Sequence, residues 1–198
     1  SLFSKLSACM NLALHWNTVT SLAKAMAIGW TGNLKVRDRL LNELARCDDV
    51  SIYKYAIVGL SEALVAGWPN DCIVQQQVLK KFCECFANDH GYVIDRLARA
   101  LARGWPGKEH SLVRDALIDT LLTVCRYERD YGRGIVGVVW ALADGWPGVD
   151  NVELRDLLLQ RLHICWDRRD DNKDLIIGFA MALSEGWPGH EHVVIRDA

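Results

Sequence analysis

ALADGWPGVDNVELRDLLLQ, Ala141–Gln160, is one copy of a phrase that the chain keeps rewriting. RALARGWPGKEHSLVRDALID, Arg99–Asp119, comes before it, and MALSEGWPGHEHVVIRDA, Met181–Ala198, comes after it. Gly-Trp recurs at Gly29-Trp30, Gly67-Trp68, Gly104-Trp105, Gly145-Trp146 and Gly186-Trp187, at spacings of 38, 37, 41 and 41 residues. Pro follows Trp in the last four copies, and Thr31 replaces it in the first. A fixed period of this length marks a stacked repeat, in which each unit buries its apolar face only against its neighbours.

Reading backwards from each Gly gives the first helix of the unit. Seven residues earlier stand Leu22, Leu60, Leu97, Val138 and Phe179; four earlier stand Ala25, Ala63, Ala100, Ala141 and Ala182; three earlier stand Met26, Leu64, Leu101, Leu142 and Leu183. Offsets of three, four and seven mark one helical face. A small Ala in every copy predicts close approach by a neighbouring helix.

Reading forwards gives the second helix. Arg-Asp stands at Arg37-Asp38, Arg114-Asp115, Arg155-Asp156 and Arg196-Asp197, while the second unit has Gln75-Gln76. Apolar residues then fall in helical register, as in Leu40, Leu41, Leu44 and Cys47, or Leu158, Leu159, Leu162 and Cys165. Phe3, Leu6 and Cys9 repeat that spacing, so the chain is expected to open inside a second helix and stop inside another. The expectation is an all-α fold: a right-handed α-solenoid of about five antiparallel helix pairs. It forms one domain over residues 1–198, cut within a repeat at both ends, with the second helices on the concave side.

Gly-Trp-Pro reads as a helix stop. Gly ends a helix in the left-handed conformation at least cost, and Pro two residues on cannot continue it. Trp30, Trp68, Trp105, Trp146 and Trp187 are expected to cover the end of each helix pair and pack between units; the alternative is a row of rings on which a ligand stacks. Trp140 and Trp166 lie off this register and are the better candidates for exposed aromatics, although Trp140, one residue before the Ala of every copy, is expected rather to fill the core. Arg37, Asp38, Arg114, Asp115, Arg155 and Asp156 are expected to form a ladder, with each Arg reaching the acid of the adjacent unit. The alternative there is a charged binding row.

Composition narrows the function classes. Half of the 198 residues are hydrophobic, the formal net charge is −2, and mean hydropathy is near zero. Both signs are interspersed, so no basic track for a phosphate backbone stands out, which disfavours nucleic acid. No run of 18 uncharged apolar residues or secretory leader is present, so no membrane partner is expected. Cys9, Cys47, Cys85, Cys125 and Cys165 fall on an apolar position of the second helices and read as reduced core thiols, which points to the cytoplasm. His190-Glu191-His192 is the most metal-like stretch, but no other unit repeats it, so neither a metal nor another cofactor is expected. Asp170-Asp171 lacks the calcium-loop pattern and reads as helix capping.

Helix pairs of about 40 residues with Arg and Asp on the second helix resemble HEAT repeats. The phrasing ALARGWPG…LVRDALIDTLL followed by CRYERD is similar to the HEAT-like arrays C-terminal to bacterial NACHT-type signalling NTPases. That resemblance implies a sensor array attached to an oligomerising NTPase, although no GxxxxGK[ST] loop occurs here. It implies a non-enzymatic scaffold that binds a protein partner or a ligand. HEAT-like metal hydroxylases, bilin lyases and alkylation-repeat nucleic-acid binders are the competing classes.

The polar residues change from unit to unit while the apolar ones repeat, as expected of a scaffold whose surface carries specificity. Out-of-register polar residues of the second helices are therefore the binding candidates: Arg39, Glu43, Gln77, Lys81, Asp119, Thr123, Gln160 and Arg161. Apolar residues at both ends, Leu2, Phe3 and Leu6 at one and Phe179, Ala182 and Leu183 at the other, are expected to lack full cover and to favour end-to-end self-association.

Overall fold

The structure is a computed structural model, described here over residues 2–11, 16–87, 90–124, 132–167 and 173–188. Over these residues it is all-helical, with ten α-helices and no strand. They are α1 (Leu2–Asn11), α2 (Trp16–Gly29), α3 (Leu34–Ala45), α4 (Val50–Gly67), α5 (Cys72–Ala87), α6 (Gly91–Gly104), α7 (Ser111–Val124), α8 (Gly132–Gly145), α9 (Val152–Asp167) and α10 (Lys173–Gly186). The even-numbered helices end on the five Gly-Trp steps. The odd-numbered ones are the predicted second helices.

Side chains close the helix starts. The Asn33 carboxamide oxygen accepts from the Lys35 and Val36 amides, Asp49 from Ser51 and Ile52, and Asp71 from Ile73 and Val74. Each satisfies two amide donors that the first turn leaves without an intrahelical partner. α4 has the length and mean hydropathy of a membrane span, but most of it is buried in the core and it contains Lys54 and Glu62.

The even helices lie in a row, α2 against α4, α4 against α6, α6 against α8 and α8 against α10, and these are the broad packing surfaces. The odd helices pack chiefly on the even ones and touch one another sparsely. The close layer is therefore the first helices, as the small Ala of every copy predicted.

The small residues explain the closeness. A methyl group added at Gly67 would stand 3.0 Å from Ala27 Cβ; at Gly104, 2.6 Å from Val65 Cγ1; at Gly145, 3.1 Å from Ala102 Cβ; at Gly186, 3.0 Å from Ala143 Cβ. Each contacted residue lies two positions before the Gly of the preceding unit. The Gly of Gly-Trp-Pro is thus required by the neighbouring helix, and not by a left-handed backbone as its place at a helix stop suggested. The left-handed position comes three residues later, at Gly32, Asn70, Gly107 and Gly148, with φ of 78°, 67°, 88° and 83°. The chain reverses there, one residue beyond the Pro.

Four of the five register Trp residues fill the core between units: Trp68, Trp105, Trp146 and Trp187 are at most 5% exposed. Trp30 is 44% exposed, because no earlier loop among the described residues packs over it. At the far end the expectation of incomplete cover fails. Phe179, Ala182 and Leu183 are fully buried, with α8 and α9 packed against α10. Leu6 is also buried, although Leu2 is 41% exposed.

Candidate functional site

Two junctions close through the backbone. The Gly107 amide donates to the Gly145 carbonyl (3.1 Å), and the Gly107 carbonyl accepts from Trp146 Nε1 (2.6 Å). Gly148 repeats both bonds with Gly186 (2.9 Å) and Trp187 Nε1 (2.8 Å). At Trp68 and Trp105 the indole N–H is buried without a hydrogen-bond partner.

The predicted ladder is formed at Arg37, whereas the position facing Arg155 lies outside the described residues. Arg37 donates to Asp71 of the next unit (2.6 Å) and to its neighbour Asp38 (2.8 Å). Arg114 and Arg155 also grip the adjacent Asp115 and Asp156. Asp71 occupies a helix-capping position that is His110 and Asn151 in the later units, so the acid needed for a rung is missing there. Burial pushes the Asp71 carboxyl up. The Arg37 hydrogen bond, the two capping amides and the Arg37 charge outweigh this and hold it below the usual carboxylate value.

The candidate binding residues divide by burial. Glu43, Lys81 and Arg161 each stand six residues after Arg37, Gln75 and Arg155, a position that faces the adjacent unit. Glu43, 1% exposed, accepts from Ser7 of α1 (2.7 Å) and pairs with Arg39 (3.1 Å) and Arg46 (3.0 Å). Lys81, 5% exposed, donates to the Cys47 carbonyl of the preceding unit (3.0 Å) and to Glu84 (2.7 Å). Arg161 is half-buried, and its Nε is shielded and without a partner. Arg39, Gln77, Asp119, Thr123 and Gln160 are exposed along the odd helices. The Thr123 hydroxyl is turned back to the Asp119 carbonyl (2.8 Å).

A groove lies on the even helices. It has a volume of about 290 Å³ between α6, α8 and α10. Trp140 forms its wall, with Pro147 at the helix-ending loop and Asp144 and Glu185 on its rim. The Arg99 guanidinium stands 5.8 Å from the Trp140 ring centroid, where the ring's negative face attracts it, and bonds Asp95 (2.7 Å). A second hollow of about 160 Å³ continues along α6 between Glu62, Asp95, Arg96, Arg99 and Arg103. Its charges are mostly matched: Glu62 takes Lys24 (2.9 Å) and Arg96 (2.9 Å). By contrast Asp144, Glu185 and Arg103, each one residue before a helix-ending Gly, have no hydrogen bond or ion pair.

Trp140 was visible as an off-register aromatic. The groove around it was not, because its lining comes from three units and depends on how far apart the even helices stand. The other off-register ring, Trp166, is 48% exposed on α9.

Cys47, Cys85 and Cys165 are buried and Cys9 is half-buried, while Cys72 and Cys83 are exposed. Burial pushes the Cys47 and Cys85 thiols up to about 12, so they stay protonated and poorly nucleophilic. Cys125, Asp170-Asp171, Arg196-Asp197 and His190-Glu191-His192 lie outside the described residues.

No family model, curated protein or solved structure matches the chain.

Proposed function

We propose that the chain is a non-enzymatic protein-binding scaffold, a HEAT-like right-handed solenoid whose even helices line the inner side. Its binding site on this reading is the groove at Trp140. The observation behind it is the pair of unpaired carboxylates, Asp144 and Glu185, beside an aromatic wall, on a face whose neighbouring charges, Arg103 apart, are matched. This suits an extended protein segment bearing a Lys or Arg, its stem along Trp140 and Pro147 and its charge between the carboxylates. A protein is favoured over nucleic acid because Arg96 and Arg99, the cations nearest the groove, are already held by Glu62 and Asp95.

The repeat phrasing supports a place as the sensor part of a larger signalling NTPase, and the exposed free thiols Cys72 and Cys83 suit the reducing cytoplasm. A random-peptide display selection on the purified chain tests the binding site. Selected peptides should contain a basic residue and lose at least about tenfold in affinity, ~1.4 kcal/mol, when Asp144→Asn and Glu185→Gln are combined. Binders that ignore this pair but are lost on Arg39→Ala or Gln77→Ala would move the site to the odd helices.

A further inference from the structure

The residue just before the helix-ending Gly comes round once per unit: Ile28, Ala66, Arg103, Asp144 and Glu185. All five are exposed. Arg103, Asp144 and Glu185 are charged, stand on the successive helices α6, α8 and α10, and have no hydrogen bond or ion pair. The row therefore reads plus, minus, minus across three units.

Neighbouring side chains do not cancel this order. The hollow at Arg103 is also lined by Arg96 and Arg99, but Arg96 is held by Glu62 (2.9 Å) and Arg99 by Asp95 (2.7 Å). Arg103 supplies the unmatched charge of that lining. The Trp140 groove shares Arg99 with the hollow and holds both carboxylates, so the two depressions form one surface with a positive and a negative end. Helix ends sharpen the contrast. The last turn of a helix carries partial negative charge, which favours Arg103 on α6 and disfavours Asp144 on α8 and Glu185 on α10. Both carboxylates thus stand where an incoming cation relieves a cost.

Resting on the reading of the groove as a peptide site, we propose that the bound segment is bipolar: three or four positions from its basic residue it carries an acidic one, which pairs with Arg103. The distance follows from packing. Helices in contact stand about 8–10 Å apart, so Arg103 lies roughly one such step from Asp144 and one and a half from the point between the carboxylates. At about 3.3 Å per residue an extended chain covers that span in roughly three or four residues. Arg103 also repels a base at that place, so an unbroken run of Lys or Arg is rejected where a mixed segment is accepted.

Two random-peptide selections test this, one on the 198-residue chain and one on Arg103→Glu, an exposed substitution that should keep the helical circular dichroism. Wild-type binders should carry Asp or Glu three or four residues from their Lys or Arg. Binders of Arg103→Glu should carry a second base there instead. Replacing the acid of a wild-type binder by its amide should weaken binding about two- to fivefold, the worth of a part-exposed ion pair, and should change nothing on Arg103→Gln. An equal loss on Arg103→Gln would overturn the pairing with Arg103. Binders that need Asp144 and Glu185 but place no acid at that distance would overturn the bipolar segment and leave the groove reading standing. Binders without a base, or indifferent to Asp144→Asn combined with Glu185→Gln, would overturn both.

Discussion

The junctions on either side of α6 obey the same apolar period and are stitched by different chemistry. On the N-terminal side, α2–α4 and α4–α6, the stitches are charged side chains: Lys24 and Arg96 on Glu62, Arg37 on Asp71, Ser7 on Glu43, and Lys81 on the Cys47 carbonyl. On the C-terminal side, α6–α8 and α8–α10, the stitches are chiefly backbone bonds from Gly107 and Gly148 and the indoles of Trp146 and Trp187, with one exposed pair, Lys108 and Asp150 (3.7 Å), beside them. The loop decides which. Where the step from the helix-ending Gly to Arg37 or Gln75 spans eight residues, the next helix is capped at once by Asn33 or Asp71. Where it spans ten, a short 3-10 turn at Lys108–His110 or Val149–Asn151 intervenes, and the left-handed Gly reaches the next unit. Stacking is thus set by the apolar register, while the polar closure of each stack is free to vary.

The largest test of the comparison is truncation of a latched ring. Trp146→Ala should destabilise the fold by about 3–5 kcal/mol in urea unfolding, through lost burial and the cavity left behind. A loss under ~1 kcal/mol would show that the ring is not core. The sharper version uses Phe, which keeps the ring and removes the N–H. Trp146→Phe should lose about 1–2 kcal/mol more than Trp105→Phe, because only Trp146 forfeits a made bond while Trp105 sheds a buried donor with none. Equal losses would erase the distinction between the two halves.

Next comes Glu43→Ala, which leaves Arg39, Arg46 and Ser7 without their shared acceptor and should cost about 1–3 kcal/mol. The partner arginines are half exposed, which keeps the loss below that of a fully buried pair. Arg114→Ala removes only a contact with its exposed neighbour and should stay within ~0.5 kcal/mol.

The smallest effect is on pH. Asp71 contributes stability that is present above its unfolded pKa near 3.8 and lost as pH falls through its lowered folded value. Cys47 and Cys85 act at the other extreme. They bury protonated, so their contribution is intact below about pH 9 and disappears as pH rises towards about 12. Amide exchange should therefore open α3–α5 before α8–α10 at the acid end of the pH scale, and opening in the reverse order would contradict the assignment. Near neutrality Cys47 and Cys85 should resist thiol reagents while Cys72 reacts.

The helices and their pairing were legible because the apolar spacing is strict and repeated. The polar roles were less so. GWPG contains two glycines, and letters alone do not say which one takes positive φ; the neighbour's Ala or Val at the point of contact does. Glu43 and Lys81 read as surface residues because they are charged, yet a long side chain at a position facing the next unit can bury its stem and find a partner there. The Trp140 groove had no signature beyond one off-register ring, since a hollow is defined by distances between units.

The glycines and alanines that draw the even helices together have a mechanical consequence. One layer of the array is stiff, its glycines set against Ala and Val with little side chain to yield. The other, where odd helices scarcely meet, is compliant. Such a strip bends about its stiff layer, as a leaf spring does about its thickest blade. Pulled from its two ends in an optical trap, the array should extend reversibly at low force as the odd side closes or splays, before any unit unfolds. Gly104→Leu, which wedges the stiff layer apart, should remove that elastic regime, and an unchanged force–extension curve would argue against a stiff layer.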